Sequence, residues 1–158
     1  MESDKELYPD DQALEWWAYD DTVCYLVRHA WGHYCGYARF PKRPLREQGY
    51  DGIATYVPVH GGITYANQDE AGFVYGFDCA HSRDEYDPQC SDVDWLRGQC
   101  ELMARCIKVA ADFEERYLLA SENEERAQVL DEFMAAADTR PNLEDNFGAM
   151  INVLCGRL

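Results

Sequence analysis

The sequence lacks any apolar run that approaches the ~20 residues of a membrane-spanning helix. Its first residues, MESDKELYPDDQ, are acidic and do not follow the basic-then-apolar order of a secretory signal peptide. Internal repeats and low-complexity segments are also missing. These absences argue against a membrane protein and a secreted one, and they predict a cytoplasmic location.

Basic residues are scarce, with 14 Lys and Arg against 30 Asp and Glu, so the net charge is −16. Such a surface repels nucleic acid and anionic lipid, and it favours basic partners. Neither direct nucleic-acid binding nor membrane binding is therefore expected. The charge fits either a highly soluble protein or a surface that imitates nucleic acid. One local exception is a basic loop, which contains Arg39, Lys42, Arg43 and Arg46.

No CxxC pair occurs, although the chain has 7 cysteines. The number is odd and the spacing does not match a zinc finger. Without a secretory signal, free thiols are expected in preference to a disulfide framework. Cys100 and Cys106 fall in a helical pattern, where they fit best as small core residues.

Apolar residues, by contrast, are plentiful at 47%, and 13% of the chain is aromatic. This composition predicts a packed core, and 158 residues suit one domain, 1–158. Residues 1–21 form an acidic N-terminal segment in which Asp10 and Asp11 precede QALEWWAY, a pattern that predicts a short capped helix.

Residues 22–81 have the pattern of a sheet. TVCYLVRH (22–29) and HYCGYARF (33–40) flank a short connection and predict a β-hairpin. A third strand is predicted over residues 53–59 and 63–65, with a bulge or a close backbone approach at Gly61 and Gly62. A polar turn at 67–72 leads to a fourth strand at 73–81.

Residues 91–158 change to helical periodicity. Ser91 begins a capping-box pattern, SDVD, and a wide apolar face follows over residues 95–117. Two further helices are predicted, at 122–137 and from Asn142 onward. Strands followed by helices predict an α+β fold, with three C-terminal helices on one face of an antiparallel sheet of about four strands.

Three motifs follow one another along the chain: CGY (35–37), HGGITY (60–65) and GFDCAH (76–81). Together they resemble a family of small uncharacterised bacteriophage and prophage proteins. Those proteins carry a CGY strand, a proline-containing loop, an HGG-(Leu/Ile)-T segment and a GFDxAH strand. The resemblance covers about residues 22–110. It implies a phage accessory protein in the host cytoplasm, and many such proteins disarm host defences.

The motifs also concentrate reactive side chains, which suggests two kinds of chemistry. A thiol hydrolase would use Cys79 or Cys35 as nucleophile and His60 or His81 as base, with Gly61 and Gly62 supplying oxyanion donors. A metal site would instead draw its ligands from Cys35, His60, Cys79 and His81. Strand alternation places Cys79 and His81 on the same face of the sheet, with Asp78 beside them in sequence.

Two further interpretations need no chemistry. The cluster could be structural, with His60 bonded to backbone, Thr64 and Asp78 capping loops, and Arg28 paired with Asp78 across strands. It could also line a small-molecule pocket formed by Tyr37, His60, Tyr65, Asp78 and His81. All four interpretations stay open at this point. No cofactor is expected, and a non-enzymatic role is favoured over catalysis.

The leading hypothesis is an acidic accessory protein that binds and inhibits a basic, nucleic-acid-binding host defence protein, as anti-CRISPR proteins do. The predicted contacts are the carboxylates just after GFDCAH: Asp84, Glu85, Asp87, Asp92 and Asp94. The alternative is a small enzyme, or a ligand- or metal-binding domain, centred on His60, Asp78, Cys79 and His81. With 4 tryptophans and 11 tyrosines, the chain also has enough aromatic surface for a homodimer interface.

Overall fold

A computed structural model describes residues 11–46 and 53–137. They form a five-stranded antiparallel sheet followed by two helices, which confirms the α+β class. The strands are β1 (Gln12–Tyr19), β2 (Thr22–Arg28), β3 (Tyr34–Phe40), β4 (Tyr65–Gln68) and β5 (Phe73–Asp78), in the order β1-β2-β3-β5-β4. The helices are α1 (Val93–Leu119) and α2 (Asn123–Ala137).

The predicted hairpin is confirmed as β2 and β3. Its register runs from Val23 opposite Arg39 to Arg28 opposite Tyr34. β5 then pairs with the other side of β3, which places Asp78 opposite Cys35. The motif strands CGY and GFD therefore lie side by side, and the start of β3 lies next to the end of β5.

The short N-terminal helix was a wrong prediction, because that segment forms β1. Trp16 lies opposite Tyr25 and stacks on its ring at 4.0 Å, on one face of the sheet. On the other face, the indole Nε1 of Trp17 donates a hydrogen bond to Glu101 of α1 at 3.0 Å. These contacts with distant residues outweigh the helix propensity of QALEWW.

The predicted third strand is also corrected. Its first part forms a 3-10 turn, Ile53–Tyr56, and the chain runs without regular structure until β4 begins at Tyr65. Gly61 and Gly62 have φ values of 67° and 79°, which turn the chain out of an extended path. The apolar residues of this stretch are nevertheless buried, as Val59 and Ile63 show.

The fourth predicted strand is confirmed but ends at Asp78, before two further 3-10 turns, Asp84–Tyr86 and Pro88–Ser91. Helix α1 follows, and its N-cap is Asp92, whereas the pattern predicted Ser91. The Asp92 carboxylate accepts hydrogen bonds from the backbone amides of Asp94 and Trp95 at 3.0 and 3.2 Å.

Helix α1 lies across β2 and β3, which confirms the wide apolar face. Its buried apolar side chains are Leu96, Cys100, Met103, Ala104, Ile107, Ala110 and Tyr117. None of the described helices combines the length and the apolar character needed to cross a lipid bilayer. Helix α2 confirms the second predicted helix, while the third, from Asn142 onward, lies outside the described residues.

Candidate functional site

Asp78 is the last residue of β5, and its side chain connects the end of the strand to Thr64 and Ala80. Its carboxylate accepts hydrogen bonds from the Thr64 hydroxyl at 2.7 Å and from the Ala80 amide at 3.0 Å. This is the loop-capping role predicted for Thr64 and Asp78. The predicted ion pair between Arg28 and Asp78 is wrong, because β3 lies between their strands and the Arg28 guanidinium lies 5.9 Å from the Tyr34 ring centroid.

Asp84 begins the 3-10 turn Asp84–Tyr86 and reaches back to two histidines. One carboxylate oxygen lies 3.0 Å from His60 Nε2. The other lies 3.0 Å from His81 Nδ1 and 2.9 Å from the His81 amide. The side chain is therefore an internal link between the HGG and GFDCAH segments, and not the exposed partner contact that the sequence suggested.

Two opposing effects set the ionisation of Asp84. Burial acts to raise the pKa of the carboxyl group, but hydrogen bonds from the His81 amide and from both imidazoles outweigh it. The net result is a pKa below the ordinary value, so Asp84 carries a negative charge at neutral pH.

His60 is held in place by the first turns of α1. Its backbone amide donates to the Gln99 side chain at 3.0 Å. Its ring lies edge-on to Trp95 and to His81, with centroids 5.4 and 5.7 Å apart. Because α1 is anchored on the sheet, the imidazole of His60 has a fixed position relative to β5.

Two buried thiols, of Cys79 and Cys90, lie close to His60 and Asp84. Of these two sulfurs, Cys90 Sγ lies 3.6 Å from His60 Nε2. The imidazole of His60, the carboxylate of Asp84 and these two sulfurs offer ligand atoms that all lie within 4.8 Å of one another. These four side chains are called the HCDC cluster below.

The HCDC cluster contains two of the four metal ligands suggested by the sequence, His60 and Cys79. Cys35 is buried on β3, and His81 contacts the cluster from outside through Asp84. Sequence reasoning missed Cys90 and misassigned Asp84. Both occur in a stretch that is rich in acidic residues, contains Pro88 and has the composition of an exposed loop.

The surroundings of the thiols oppose the thiol-hydrolase hypothesis. Burial raises the pKa of Cys79, and so does its interaction with neighbouring Cys90. Burial, together with the charge of Asp78, raises the pKa of Cys35 to about 12. A nucleophilic cysteine needs the opposite shift, because only the thiolate attacks.

An open pocket of about 680 Å³ lies beside the HCDC cluster. Its walls come from the β2–β3 connection, the end of β5 and the two 3-10 turns that precede α1. Buried Cys79, Asp84 and Cys90 form the inner wall. Of the five residues suggested for a ligand pocket, only His81 lines it. Tyr37 and Tyr65 pack with Tyr25 and Val74 in a separate apolar cluster.

The outer wall of this pocket carries large exposed side chains. Trp31 is 87% exposed and Tyr86 is 80% exposed. Arg83 and Glu85 lie on the same wall and are also exposed. These four residues are called the pocket rim below.

The other predicted partner contacts remain at the surface. Glu85, Asp92 and Asp94 are exposed and Asp87 is half-buried. Two of these carboxylates also have local roles, since Asp87 accepts from the Gln89 amide at 3.0 Å and Asp92 caps α1. Capping leaves their charge in place, so the segment that follows the pocket rim stays strongly negative.

Comparison of the chain with family models, curated proteins and solved structures finds no match.

Proposed function

We propose that the protein is a non-enzymatic accessory protein, of the kind that phages and other mobile elements carry, which binds a basic protein through the pocket rim. The observation that carries this proposal is the joint exposure of Trp31, Arg83 and Tyr86 around one pocket. Tryptophan, tyrosine and arginine are the residues most enriched among the energetic hot spots of protein interfaces.

The backbone at Arg83 supports the same interpretation. Arg83 has a φ of 78°, a left-handed conformation that costs a non-glycine residue about 1–2 kcal/mol. Strain of this kind concentrates at sites where a side chain must be presented in one direction. Here the conformation begins the turn Asp84–Tyr86 and places Arg83 and Tyr86 on the same pocket wall.

The charge around the rim defines the partner. Glu85, Asp87, Asp92 and Asp94 follow one another on the surface of a chain with a net charge of −16. An acidic surface of this size attracts a basic protein over long range and accelerates its association. A nucleic-acid-binding protein of a host defence system has the complementary charge, so we expect this protein to compete with nucleic acid for it.

The test is affinity capture from host extract with the wild-type protein and with Trp31→Ala/Tyr86→Ala. Leu119→Ala is the matched control, because Leu119 is also apolar and 77% exposed but lies at the end of α1. The captured protein should be basic, and should be lost with the double variant but not with the control. Capture that both variants retain equally would contradict the proposed rim.

A second experiment uses the purified partner and tests how much the acidic charge of this protein contributes to binding. Reversing Glu85 and Asp94 to lysine changes the net charge from −16 by +4, to −12. The same change at exposed Glu115 and Glu124, on α1 and α2, is the control. Association should slow more for the first pair and slow further with salt, and the wild type should displace nucleic acid from the partner. Salt-independent association at equal rates would overturn the proposal.

A further inference from the structure

We propose that the HCDC cluster is a zinc site, in which His60, Cys79, Asp84 and Cys90 are the ligands. Imidazole nitrogen, thiolate sulfur and carboxylate oxygen are the ligands that zinc uses in proteins. A set with two sulfurs and one imidazole favours tetrahedral zinc over magnesium or calcium, which prefer oxygen ligands. This proposal is independent of the basic-partner proposal.

The distances between ligand atoms suit a tetrahedral ion. Zinc bonds of about 2.0–2.1 Å to nitrogen and 2.3 Å to sulfur place the two ligand atoms about 3.5 Å apart. Cys90 Sγ lies 3.6 Å from His60 Nε2. Asp84 Oδ1 lies 3.0 Å from the same nitrogen, and all four atoms lie within 4.8 Å of one another.

The same contacts show which protons zinc would replace. The hydrogen bond between His60 Nε2 and Asp84 places a proton on that nitrogen, and each of the two thiols carries a proton of its own. Zinc binding would release the protons of both thiols and move the ring proton of His60 to Nδ1, so that Nε2 can bind the ion. The two positive charges of zinc would offset two of the three negative charges of its ligands. The resulting centre, with three anionic ligands and a divalent ion, has a net charge of −1.

Groups around the cluster orient its ligands in the manner of known zinc sites. His81 holds the second Asp84 oxygen through its ring nitrogen and its backbone amide. Trp95 and His81 fix the plane of the His60 ring from two sides. Such outer contacts set ligand orientation, and their loss commonly weakens metal binding tenfold to a hundredfold.

The expected role of the ion is structural. Four protein ligands complete a tetrahedron and leave no open position for substrate. The ligands come from three parts of the chain: the loop before β4, the residue after β5, and the two 3-10 turns. Zinc would therefore tie residues 79–90 to the body of the domain, and this segment carries Arg83, Glu85 and Tyr86 of the pocket rim.

The first experiment is metal analysis of protein that has been expressed with zinc and purified without a metal-affinity tag. We expect one zinc ion per chain, and cobalt substitution should give the thiolate-to-cobalt charge-transfer absorption of a sulfur-ligated site. Cys79→Ser and Cys90→Ser should each lose that absorption. Cys35→Ala and Cys106→Ser, which change thiols outside the cluster, should retain it.

A second measurement separates lost ligands from lost folding. Asp84→Asn keeps the size of the side chain, and His81→Gln changes only an outer contact. Each variant should stay folded by circular dichroism and bind zinc at least tenfold more weakly in competition with a chromogenic chelator. Wild-type protein that is reduced, folded and unable to bind added zinc would overturn the proposal. So would zinc binding that survives Cys90→Ser and is lost in Cys35→Ala.

Discussion

The ring of His81 lies directly against the backbone of Gly61, so closely that a Cβ on Gly61 would be 2.2 Å from His81 Cε1. The glycine also has a φ of 67°, in the left-handed region. The HGG and GFDCAH motifs therefore meet through a contact that only glycine allows. This contact holds His81 where its Nδ1 reaches Asp84.

Gly61→Ala should consequently disrupt the site as well as the backbone. Left-handed backbone costs alanine about 1–2 kcal/mol, and displacement of His81 adds to that cost. Gly62→Ala is the matched control, because Gly62 has a φ of 79° but no atom within 4 Å of its Cβ position. Urea unfolding should show a larger loss of stability for Gly61→Ala, and equal losses would show that the His81 contact adds nothing.

The packing of α1 on the sheet predicts the cost of truncating its buried face. Leu96 and Ile107 are fully buried between α1 and the strands. Leu96→Ala and Ile107→Ala should each lower the free energy of unfolding by about 2–4 kcal/mol, through lost burial and the cavity left behind. Glu115→Ala, an exposed change on the same helix, should leave it nearly unchanged in the same thermal or urea unfolding assay. An unchanged midpoint for both truncations would contradict this packing.

The start of α1 provides a test of its cap. Asp92→Ala removes the acceptor of two backbone amides and should cost about 0.5–2 kcal/mol. Asp92→Asn should recover most of that loss, since asparagine also caps helices. Ser91→Ala is the comparison, because Ser91 ends the preceding 3-10 turn and does not cap α1. A larger loss of stability for Ser91→Ala than for Asp92→Ala would show that Ser91, the residue suggested by the sequence, is the N-cap.

Buried thiols predict a loss of stability at alkaline pH. Desolvation raises the pKa of Cys24 to about 12, whereas a thiol in the unfolded chain ionises near pH ~8.5. The raised pKa means that this contribution to stability is complete below about pH 8.5 and is lost as the pH rises toward the folded value. The decline should be about 1.4 kcal/mol per pH unit for this thiol.

Urea unfolding between about pH 9 and 10.5 can measure that decline. Cys24→Ala should show a shallower slope than the wild type, whatever its absolute stability. Cys106→Ala is the control, because Cys106 is only half-buried and should change the slope less. If Cys24→Ala and the wild type lost stability at the same rate, ionisation of this thiol would not be the cause.

The sequence predicted those elements whose signals are local. The β2–β3 hairpin follows from two alternating apolar segments around a short connection, and α1 follows from a sustained helical period. β1 could not be predicted in this way, because QALEWW contains good helix formers. Its strand conformation depends on pairing with β2, where Trp16 stacks on Tyr25, and on Trp17 reaching Glu101, which is 84 positions away.

The candidate site was also predicted only in part, because some of its residues lie outside any local motif. His60, Cys79 and His81 belong to short motifs, HGGITY and GFDCAH, that can be recognised in the sequence. Cys90 is separated from His60 by 30 positions and comes close only because the chain folds back through two 3-10 turns. Neither strand nor helix periodicity describes such a path, so no pattern in the sequence shows that Asp84 points inward.

The two edges of the sheet have a consequence for how the protein behaves in a crowded cell. Among the residues that the structure describes, β1 and β4 are the edge strands. β1 has a break in register between Ala13 and Glu15, and β4 is only 4 residues long. A bulged edge and a short one are poor templates for the addition of another strand. Edge-to-edge association of two copies of the sheet is therefore disfavoured at these strands, even at high local concentration.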